Sequence, residues 1–253
     1  MKIYIYTIPK AGTYLLAEFL ERLGFENSGF HVDLESYLDT KKLSLEINAQ
    51  TPEAARVDQF FVGTLKGMPD NSLAFGHLAV PLLGWAPPRF SFVCSYRHPR
   101  KTLVSEFIDF RFRRKDVEWL GFDTIPDDAK AFGQYLVHHG PIHLRIFSQF
   151  VACSTLFNDP FFQRYSPERS IFVNFDTFLK DPSEAVRIAE HFGRDAAMGL
   201  AARDDALAAE TKTKAVDLKI DRDSLWTAEN ERLYEELGVF NAVDRARSTG
   251  LNI

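Results

Sequence analysis

Three residues near the start of the chain have the types and spacing needed to hold an anion. Lys10, Gly12 and Thr13 follow an apolar run, Ile3 to Ile8, and supply a positive charge, a backbone without a side chain and a hydroxyl. A turn of this kind in front of a helix points backbone N–H groups and the positive end of the helix dipole at one spot. We therefore expect a phosphate-like group to bind here.

The elements around this turn are predicted from hydrophobic periodicity. The run from Ile3 to Ile8 is aromatic and β-branched, which favours a buried strand. The ordinary phosphate loop of nucleoside triphosphatases is excluded, because its lysine follows the second glycine whereas Lys10 precedes Gly12. On this stretch alone, a plain turn with a solvated lysine stays an alternative. A helix follows the turn and ends at Gly24, since the next apolar residues have helical spacing: Leu15, Leu16, Phe19, Leu20 and Leu23.

Two further predicted strand ends carry polar residues. The apolar segment Phe90 to Tyr96 predicts a buried strand; Arg97 follows it, and Ser105 comes eight residues later in a segment with helical spacing. A guanidinium and a hydroxyl both donate to phosphate oxygens, so this pair could hold a second anion, the alternative being a solvated basic turn. A shorter strand, 72–76, is followed by His77, whose imidazole could transfer protons near neutral pH or be structural.

Composition narrows the class of protein. The 253 residues carry a net charge of −5, with 45% hydrophobic and 26% charged residues, and we expect one globular domain over 1–253. The negative charge predicts no general affinity for nucleic acid or anionic membranes. Cys94 and Cys153 have neither metal-binding spacing nor a disulfide framework, and no segment has about 18 uninterrupted apolar residues. These features favour a cytoplasmic protein without a membrane anchor.

The order of the predicted elements indicates the fold class. Strands alternating with helices predict an α/β fold of three layers, with helices on both faces of a central parallel sheet. His138, His139 and His143 straddle a Gly-Pro break, which is a poor ligand pattern, so no metal site is predicted. The segment 25–70 is polar and mixed, and 211–222 is predicted to be a loop. Helices are predicted from Pro52, over 129–157 with a break at Gly140-Pro141, over 183–192 with Ser183 as N-cap, over 196–209 and over 227–238.

From residue 2 to about residue 238, these segments resemble the sulfotransferases that use 3′-phosphoadenosine 5′-phosphosulfate (PAPS). Thr7-Ile-Pro-Lys-Ala-Gly-Thr13 is similar to the family's 5′-phosphosulfate loop, T-Y-P-K-S-G-T-T-W. Arg97 and Ser105 have the spacing of the arginine and serine that hold the 3′-phosphate. His77 matches the catalytic histidine of many members, and Phe175-Asp176 stands where the family has Tyr-Glu-Asp near the adenine. The resemblance implies a cytosolic-type sulfotransferase with the family's P-loop-NTPase-like fold, and we expect a bacterial member.

The resemblance also implies a reaction. A sulfuryl group would pass from PAPS to a hydroxyl or amine of a small-molecule acceptor, leaving 3′,5′-diphosphoadenosine (PAP), with Lys10 at the departing phosphate, His77 taking the acceptor's proton and no metal ion. Lys214 is placed by counting back from Glu229-Asn-Glu-Arg232 to the family's basic stretch, with Lys212 as the close alternative. The residues implied to hold the donor are Pro9, Lys10, Ala11, Gly12, Thr13, Tyr14, Arg97, Ser105, Phe175, Lys212 and Lys214.

Four positions depart from the family pattern. Ala11 and Tyr14 replace hydroxyl-bearing residues, Leu15 stands where a tryptophan often stacks on adenine, and Phe75 replaces a lysine of cytosolic members. Two other functions therefore stay open: a nucleotide or metabolite kinase, and a relative that binds a nucleotide without transferring a group. Several aromatic residues are as compatible with core packing as with an apolar acceptor pocket: Phe107, Phe110, Phe112 and Trp119.

Overall fold

The structure is a computed structural model, and one mixed sheet organises the part of the chain that it describes. The described residues are 1–32, 36–58, 61–77, 90–115, 121, 124–157, 170–210 and 220–253, without the side chains of 61, 62 and 157. Within them the strands are β1 Lys2–Thr7, β2 Glu26–Val32, β3 Tyr37–Asp39, β4 Arg56–Val57, β5 Ser72–Gly76, β6 Phe90–Tyr96 and β7 Ser170–Asn174.

The sheet is parallel except at one edge. Its order is β4-β3-β2-β5-β1-β6-β7. The neighbours from β2 through β5, β1 and β6 to β7 pair in parallel, whereas β3 and β4 pair antiparallel at the β2 edge. The predicted parallel sheet is thus confirmed for its main part, and the antiparallel edge is an addition to it.

Helices cover both faces of this sheet, which confirms the three-layer α/β prediction. In β1, Ile3 and Ile5 pack towards one face while Tyr4 and Tyr6 pack towards the other, as the two-residue repeat of a strand requires. Across the described residues the helices are α1 Thr13–Arg22, α2 Leu45–Gln50, α3 Phe61–Gly67, α4 Pro99–Ile108, α5 Asp128–His138, α6 Gly140–Phe157, α7 Phe175–Lys180, α8 Pro182–His191, α9 Ala196–Ala208, α10 Ala228–Glu236 and α11 Val239–Ser248.

Most of the helices belong to three apolar packing clusters. Helices α1, α7, α8 and α9 bury their apolar side chains with Ile3 and Ile5, and α6 and α11 pack with Tyr4 and Tyr6. A third cluster joins α4, α5, α10 and α11, with Phe107 and Tyr135 buried in it. Because α1 and α4 each follow a strand of the central sheet directly, their N-terminal ends meet at the same edge of the sheet.

Local predictions failed where polar residues concealed the pattern. Strands β2 and β3 lie in the segment interpreted as polar and mixed, and Pro52 begins a single 3₁₀ turn, Pro52–Ala55, while the helix starts at Phe61. Asp181, and not Ser183, caps α8, because its carboxylate accepts from the Ser183 backbone N–H. Helices α7 and α11 were not predicted. Trp119 and residues 211–219 of the predicted loop lie outside the described residues.

Candidate functional site

Four strand ends bring the sequence-predicted residues to one edge of the sheet. Tyr6 of β1 is paired with Gly76 of β5 and with Cys94 of β6, and Tyr96 is paired with Asn174 of β7. The residues that follow these strands are the Lys10 turn, His77, Arg97 and Phe175. In parallel sheets, ligands bind beyond the strand carboxyl ends, so this edge is the candidate site.

In the turn after β1, the backbone conformation is favourable at Gly12 and strained at Lys10. Gly12 has φ of +87° and Lys10 has φ of +66°, a region that residues with a side chain rarely adopt. Two hydrogen bonds tie the turn down: the Ala11 N–H donates to the Ile8 carbonyl at 3.0 Å, and the Ser95 hydroxyl donates to the Ala11 carbonyl at 2.6 Å. A strained residue held in this way is typical of a functional site.

Gly12 is also required by a close contact. A Cβ atom at this position would lie 2.0 Å from the ring of Phe175, the first residue of α7. Gly12 begins α1 without a side-chain cap, and Thr13 is the first residue of that helix. The end of the helix therefore presents backbone to the site, with the Phe175 ring against it.

His77 is held in one tautomer by β1. Its Nδ1 lies 3.0 Å from the carbonyl oxygen of Thr7 and 3.1 Å from the Thr7 hydroxyl, and that hydroxyl is 2.6 Å from the hydroxyl of Thr13. A carbonyl oxygen only accepts, so Nδ1 carries the proton and the lone pair of the neutral ring is on Nε2. The ring is thus prepared to accept a proton at Nε2.

A second histidine lies beside the first. The ring centroids of His31, on β2, and His77 are 5.0 Å apart, and the Tyr14 hydroxyl is 2.9 Å from Nδ1 of His31. Burial, with a smaller contribution from Asp109, raises the pKa of Tyr14, so this phenol stays protonated. Tyr14, which departs from the family pattern, therefore links the anion turn to a histidine that sequence reasoning did not identify.

Arg97 is oriented by an acidic neighbour. Its Nε and one terminal nitrogen each lie 2.9 Å from Oδ1 of Asp176, and Nζ of Lys101 lies 2.9 Å from Oδ2. Burial acts to raise the pKa of Asp176, but the hydrogen bonds and charges of Lys101 and Arg97 outweigh it and lower the pKa. The Arg97 guanidinium is also 5.6 Å from the centre of the Phe175 ring. The cation is therefore fixed between two residues of α7.

Lys10 is bound to a buried carboxylate. Its Nζ lies 2.5 Å from Oδ2 of Asp109, whose Oδ1 accepts from Arg113. Asp109 begins a π-helical turn, Asp109–Arg113, that continues α4. Burial acts to raise the pKa of Asp109, yet Lys10 and Arg113 together lower it, so the carboxylate is ionised at neutral pH. This contact was not predicted.

One cavity of about 540 Å³ is lined by Lys10, Gly12 and Thr13 of the turn and by Tyr14, His31, His77, Arg97, Asp109 and Phe175, whereas Thr7, Ala11, Lys101 and Asp176 are not part of its lining. Its described lining includes five cationic side chains and three acidic ones, so it has an excess of positive charge although the whole chain is negative. Lys212 and Lys214 lie outside the described residues. The residues around the cavity are Pro9, Lys10, Gly12, Thr13, Tyr14, Leu15, His31, Leu38, Pro52, Glu53, His77, Arg97, Ser105, Glu106, Asp109, Phe110, Arg113, Arg114, Phe175, Leu179, Leu207 and Arg222.

Sequence reasoning missed most of the charged wall opposite the anion turn. Arg113 and Arg114 belong to the basic run Arg111 to Lys115, which was not predicted to be part of the site, and both line the cavity. One signal could have found Asp109: it stands four residues after Ser105, so the two share a helix face. Of the aromatic residues considered for the acceptor pocket, Phe110 lines the cavity, whereas Phe107 is fully buried in the core.

Glu106, which lines the cavity, is also part of a buried hydrogen-bond network. It accepts from the Tyr135 hydroxyl at 2.6 Å and from Nδ1 of His143 at 2.8 Å, and Nε2 of His143 is 2.7 Å from the Thr102 hydroxyl. Burial opposes ionisation, but His143, Tyr135 and Lys10 lower the pKa of Glu106 to about 2. His143, considered above as a metal ligand, thus has a hydrogen-bonding role.

The described residues carry neither a metal-binding cluster nor a membrane-spanning helix. They contain no group of three or more His, Cys, Asp or Glu side chains arranged to hold a metal ion. They also contain no helix that is both long and apolar enough to cross a membrane.

The fold is that of the sulfotransferases, as the sequence resemblance implied. Retinol dehydratase, solved with androsterone and the inactive cofactor PAP, is similar with a TM-score of 0.58 and 14% identity, over 100% of this chain and 82% of that chain. The mouse sulfotransferase SULT7A1, solved with PAP, is similar with a TM-score of 0.52 and 15% identity, over 100% of this chain and 89% of that chain. No protein-family model and no curated sequence matches the chain. At these identities, the likeness establishes the fold.

Proposed function

We propose that this chain is a PAPS-dependent sulfotransferase that transfers a sulfuryl group to a hydroxyl or amine of a small-molecule acceptor. One observation carries the proposal: a strained lysine turn, a histidine with a defined tautomer, and an arginine–serine pair line the same cavity. The sulfotransferase fold and the presence of PAP in both similar structures support it. The proposed acceptor is a small molecule, and the first of those structures contains a small molecule, androsterone, together with PAP.

The residues of the site suit the charges of such a donor. The start of α1 and Thr13 offer N–H and hydroxyl donors to a 5′-phosphate, and Lys10 offers an ammonium. Arg97 and Ser105, which line the same cavity, offer donors to a 3′-phosphate. Phe175, against Gly12 and near Arg97, and Leu15 offer apolar surface for a base. The excess of cationic side chains in the lining accords with a strongly anionic ligand.

The reaction then needs one proton acceptor and one cation at the leaving group. The acceptor oxygen or nitrogen forms a bond to sulfur as the bond from sulfur to the bridging oxygen breaks, and PAP leaves. Nε2 of His77 takes the acceptor's proton, because Nδ1 is protonated and bonded to Thr7. Lys10 offsets the negative charge that develops on the departing phosphate. In a loose transition state of this kind, positioning and charge supply most of the rate.

Thermal unfolding with added nucleotides tests the proposal first. PAP without magnesium is expected to raise Tm, since a ligand that binds only the folded chain stabilises it in proportion to the logarithm of its concentration. If ATP with magnesium raises Tm and PAP does not, that result would favour a kinase and would overturn the proposal of a sulfotransferase.

Transfer of labelled sulfate from PAPS to a panel of phenols, alcohols and amines tests the chemistry. The wild-type chain is expected to label at least one acceptor. The Lys10→Ala variant is expected to label none of them. PAP binding without transfer to any of them would instead identify a nucleotide-binding relative.

A further inference from the structure

The ammonium of Lys10, assigned above to the donor's phosphate, is already bound to a carboxylate. Lys10 Nζ and Asp109 Oδ2 are 2.5 Å apart, and the side chains are only 17% and 8% exposed. Both residues line the cavity. A buried ammonium without a counterion is costly, so Asp109 neutralises Lys10 within the site.

Asp109 is itself held firmly in place. Arg113, one turn further along the chain, donates to its Oδ1, so the carboxylate uses one oxygen for each cation. The π-helical turn Asp109–Arg113 directs both of these side chains to the cavity, where Phe110 also lies. Such turns inside α-helices are frequent at functional sites. The geometry gives Asp109 a fixed position, whereas Lys10 reaches it through a flexible stem.

The arrangement creates a conflict once an anionic nucleotide binds. The nucleotide's phosphate requires Lys10, and Asp109 is a fixed negative charge on the same ammonium. Glu106 adds a second negative charge nearby, since its own pKa is lowered partly by Lys10. In a partly buried site, a carboxylate and a phosphate that contact the same ammonium repel each other by several kcal/mol or more. The carboxylate and the phosphate therefore compete.

On the basis of the function proposed above, we infer that Asp109 is a positioning residue. It holds Lys10 in the free protein and gives it up to the phosphate of a bound nucleotide. With no nucleotide phosphate on it, Lys10 is held by Asp109; when the phosphate binds, Lys10 moves to it while Arg113 stays on Asp109. On product release, Asp109 takes Lys10 back. The carboxylate thereby lowers affinity for PAP and favours its departure.

Removing the charge of Asp109 should accordingly tighten PAP binding. Calorimetric titration of Asp109→Asn is expected to give a Kd for PAP lower by about fivefold or more, a typical coupling between two sites. Asp109→Glu keeps the charge and is expected to stay within about twofold of wild type. The matched control is Asp128→Asn, which also removes one acidic partner of an arginine, Arg111, but does not line the cavity.

A purely structural role predicts a different pattern. If Asp109 only stabilised the helix turn, Asp109→Asn would lower Tm and leave the Kd for PAP equal to or weaker than that of wild type; that result would overturn the inference. In transfer assays, the inference further predicts a lower KM for PAPS together with a lower kcat when release limits turnover.

A crystal structure of the wild-type chain with PAP tests the exchange without a variant that could fail to fold. We expect the distance between Lys10 Nζ and the Asp109 carboxylate to exceed about 4 Å, the limit for an ion pair, while Arg113 stays bound to Asp109. Lys10 remaining on Asp109 with PAP in place would overturn the inference while leaving the proposed function intact. If the wild-type chain does not bind PAP at all, both the function and the inference fail.

Discussion

Nδ1 of His77 lies 3.0 Å from the carbonyl oxygen of Thr7, the last residue of strand β1. The same strand leads directly into the Lys10 turn. One strand end thus fixes both the tautomer of the proposed base and the position of the anion turn, and the two cannot shift independently.

Replacement of His77 by Ala is expected to lower kcat by about 10²- to 10⁴-fold, the usual contribution of general acid–base catalysis. The Kd for PAP should stay close to the wild-type value, because the proposed role of His77 concerns the acceptor's proton. Transfer of labelled sulfate and calorimetry measure the two effects separately. His138→Ala, at the exposed end of α5, is the control; wild-type turnover in His77→Ala would exclude this residue as the base.

Arg97→Ala is expected to remove the preference for a 3′-phosphate. Charged hydrogen bonds contribute about 1.5–3 kcal/mol, so the Kd for PAP should rise roughly tenfold to hundredfold, while the Kd for adenosine 5′-monophosphate changes little. Calorimetry with both nucleotides gives the comparison. The control is Arg100→Ala, which lies in the same basic turn but contacts Glu231 and Trp226. An equal loss of affinity for both nucleotides would assign Arg97 to another part of the ligand.

Substitution of Gly12 by Ala is expected to damage both stability and nucleotide binding. The new Cβ would lie 2.0 Å from the Phe175 ring, and the backbone φ of +87° adds strain of about 1–2 kcal/mol. Thermal unfolding with and without PAP measures both effects.

Gly24→Ala is a matched control for Gly12→Ala. Gly24 has a φ of +91°, but nothing lies within 4 Å of the added Cβ. The Gly24→Ala variant should therefore lose stability through backbone strain alone, and its Kd for PAP should equal that of the wild type. Equal behaviour of the two variants would mean that the contact with Phe175 is unimportant.

Glu106 is expected to make the fold sensitive to acid. Its pKa falls from 4.5 to about 2 in the folded chain, so its contribution is complete above pH 4.5 and is lost as the pH falls towards 2. The shift corresponds to about 3 kcal/mol. Glu106→Gln should therefore be less stable at neutral pH and show a flatter decline between about pH 5 and pH 2.

Urea unfolding across this pH range measures the effect. The control is Glu236→Gln, whose partner Arg232 is as exposed as Glu236 itself, so little change is expected. A Glu106→Gln profile parallel to that of wild type would contradict the assignment.

The residues of the proposed donor end could be selected from the sequence because that end is built from local patterns. A strand, a glycine turn and a helix are adjacent in the chain, and Arg97 with Ser105 repeats the arrangement, so spacing alone brings each set together. The alternation of strands and helices predicted the parallel sheet, but the structure alone shows that β1 lies between β5 and β6.

The opposite wall could not be found in this way. Arg113 reaches the cavity through the π-helical turn that begins at Asp109, and this turn shifts the helical register that a periodicity argument assumes. His31 lies on a half-exposed strand whose polar residues gave no two-residue repeat. The contact between His31 and Tyr14 joins a strand to a helix, and no local sequence pattern relates the two residues. Only the tertiary structure reveals this contact.

The position of β1 between β5 and β6 has a consequence for how such a site can change. Backbone hydrogen bonds set the separation of the Lys10 turn, His77 and Arg97, so this geometry does not depend on the identity of the surrounding loops. The π-helical turn Asp109–Arg113 lies outside the sheet, so strand pairing does not set its position. Substitutions at Phe110 or Arg114, which line the cavity away from the strand ends, can therefore change its shape while the strand-end geometry stays the same.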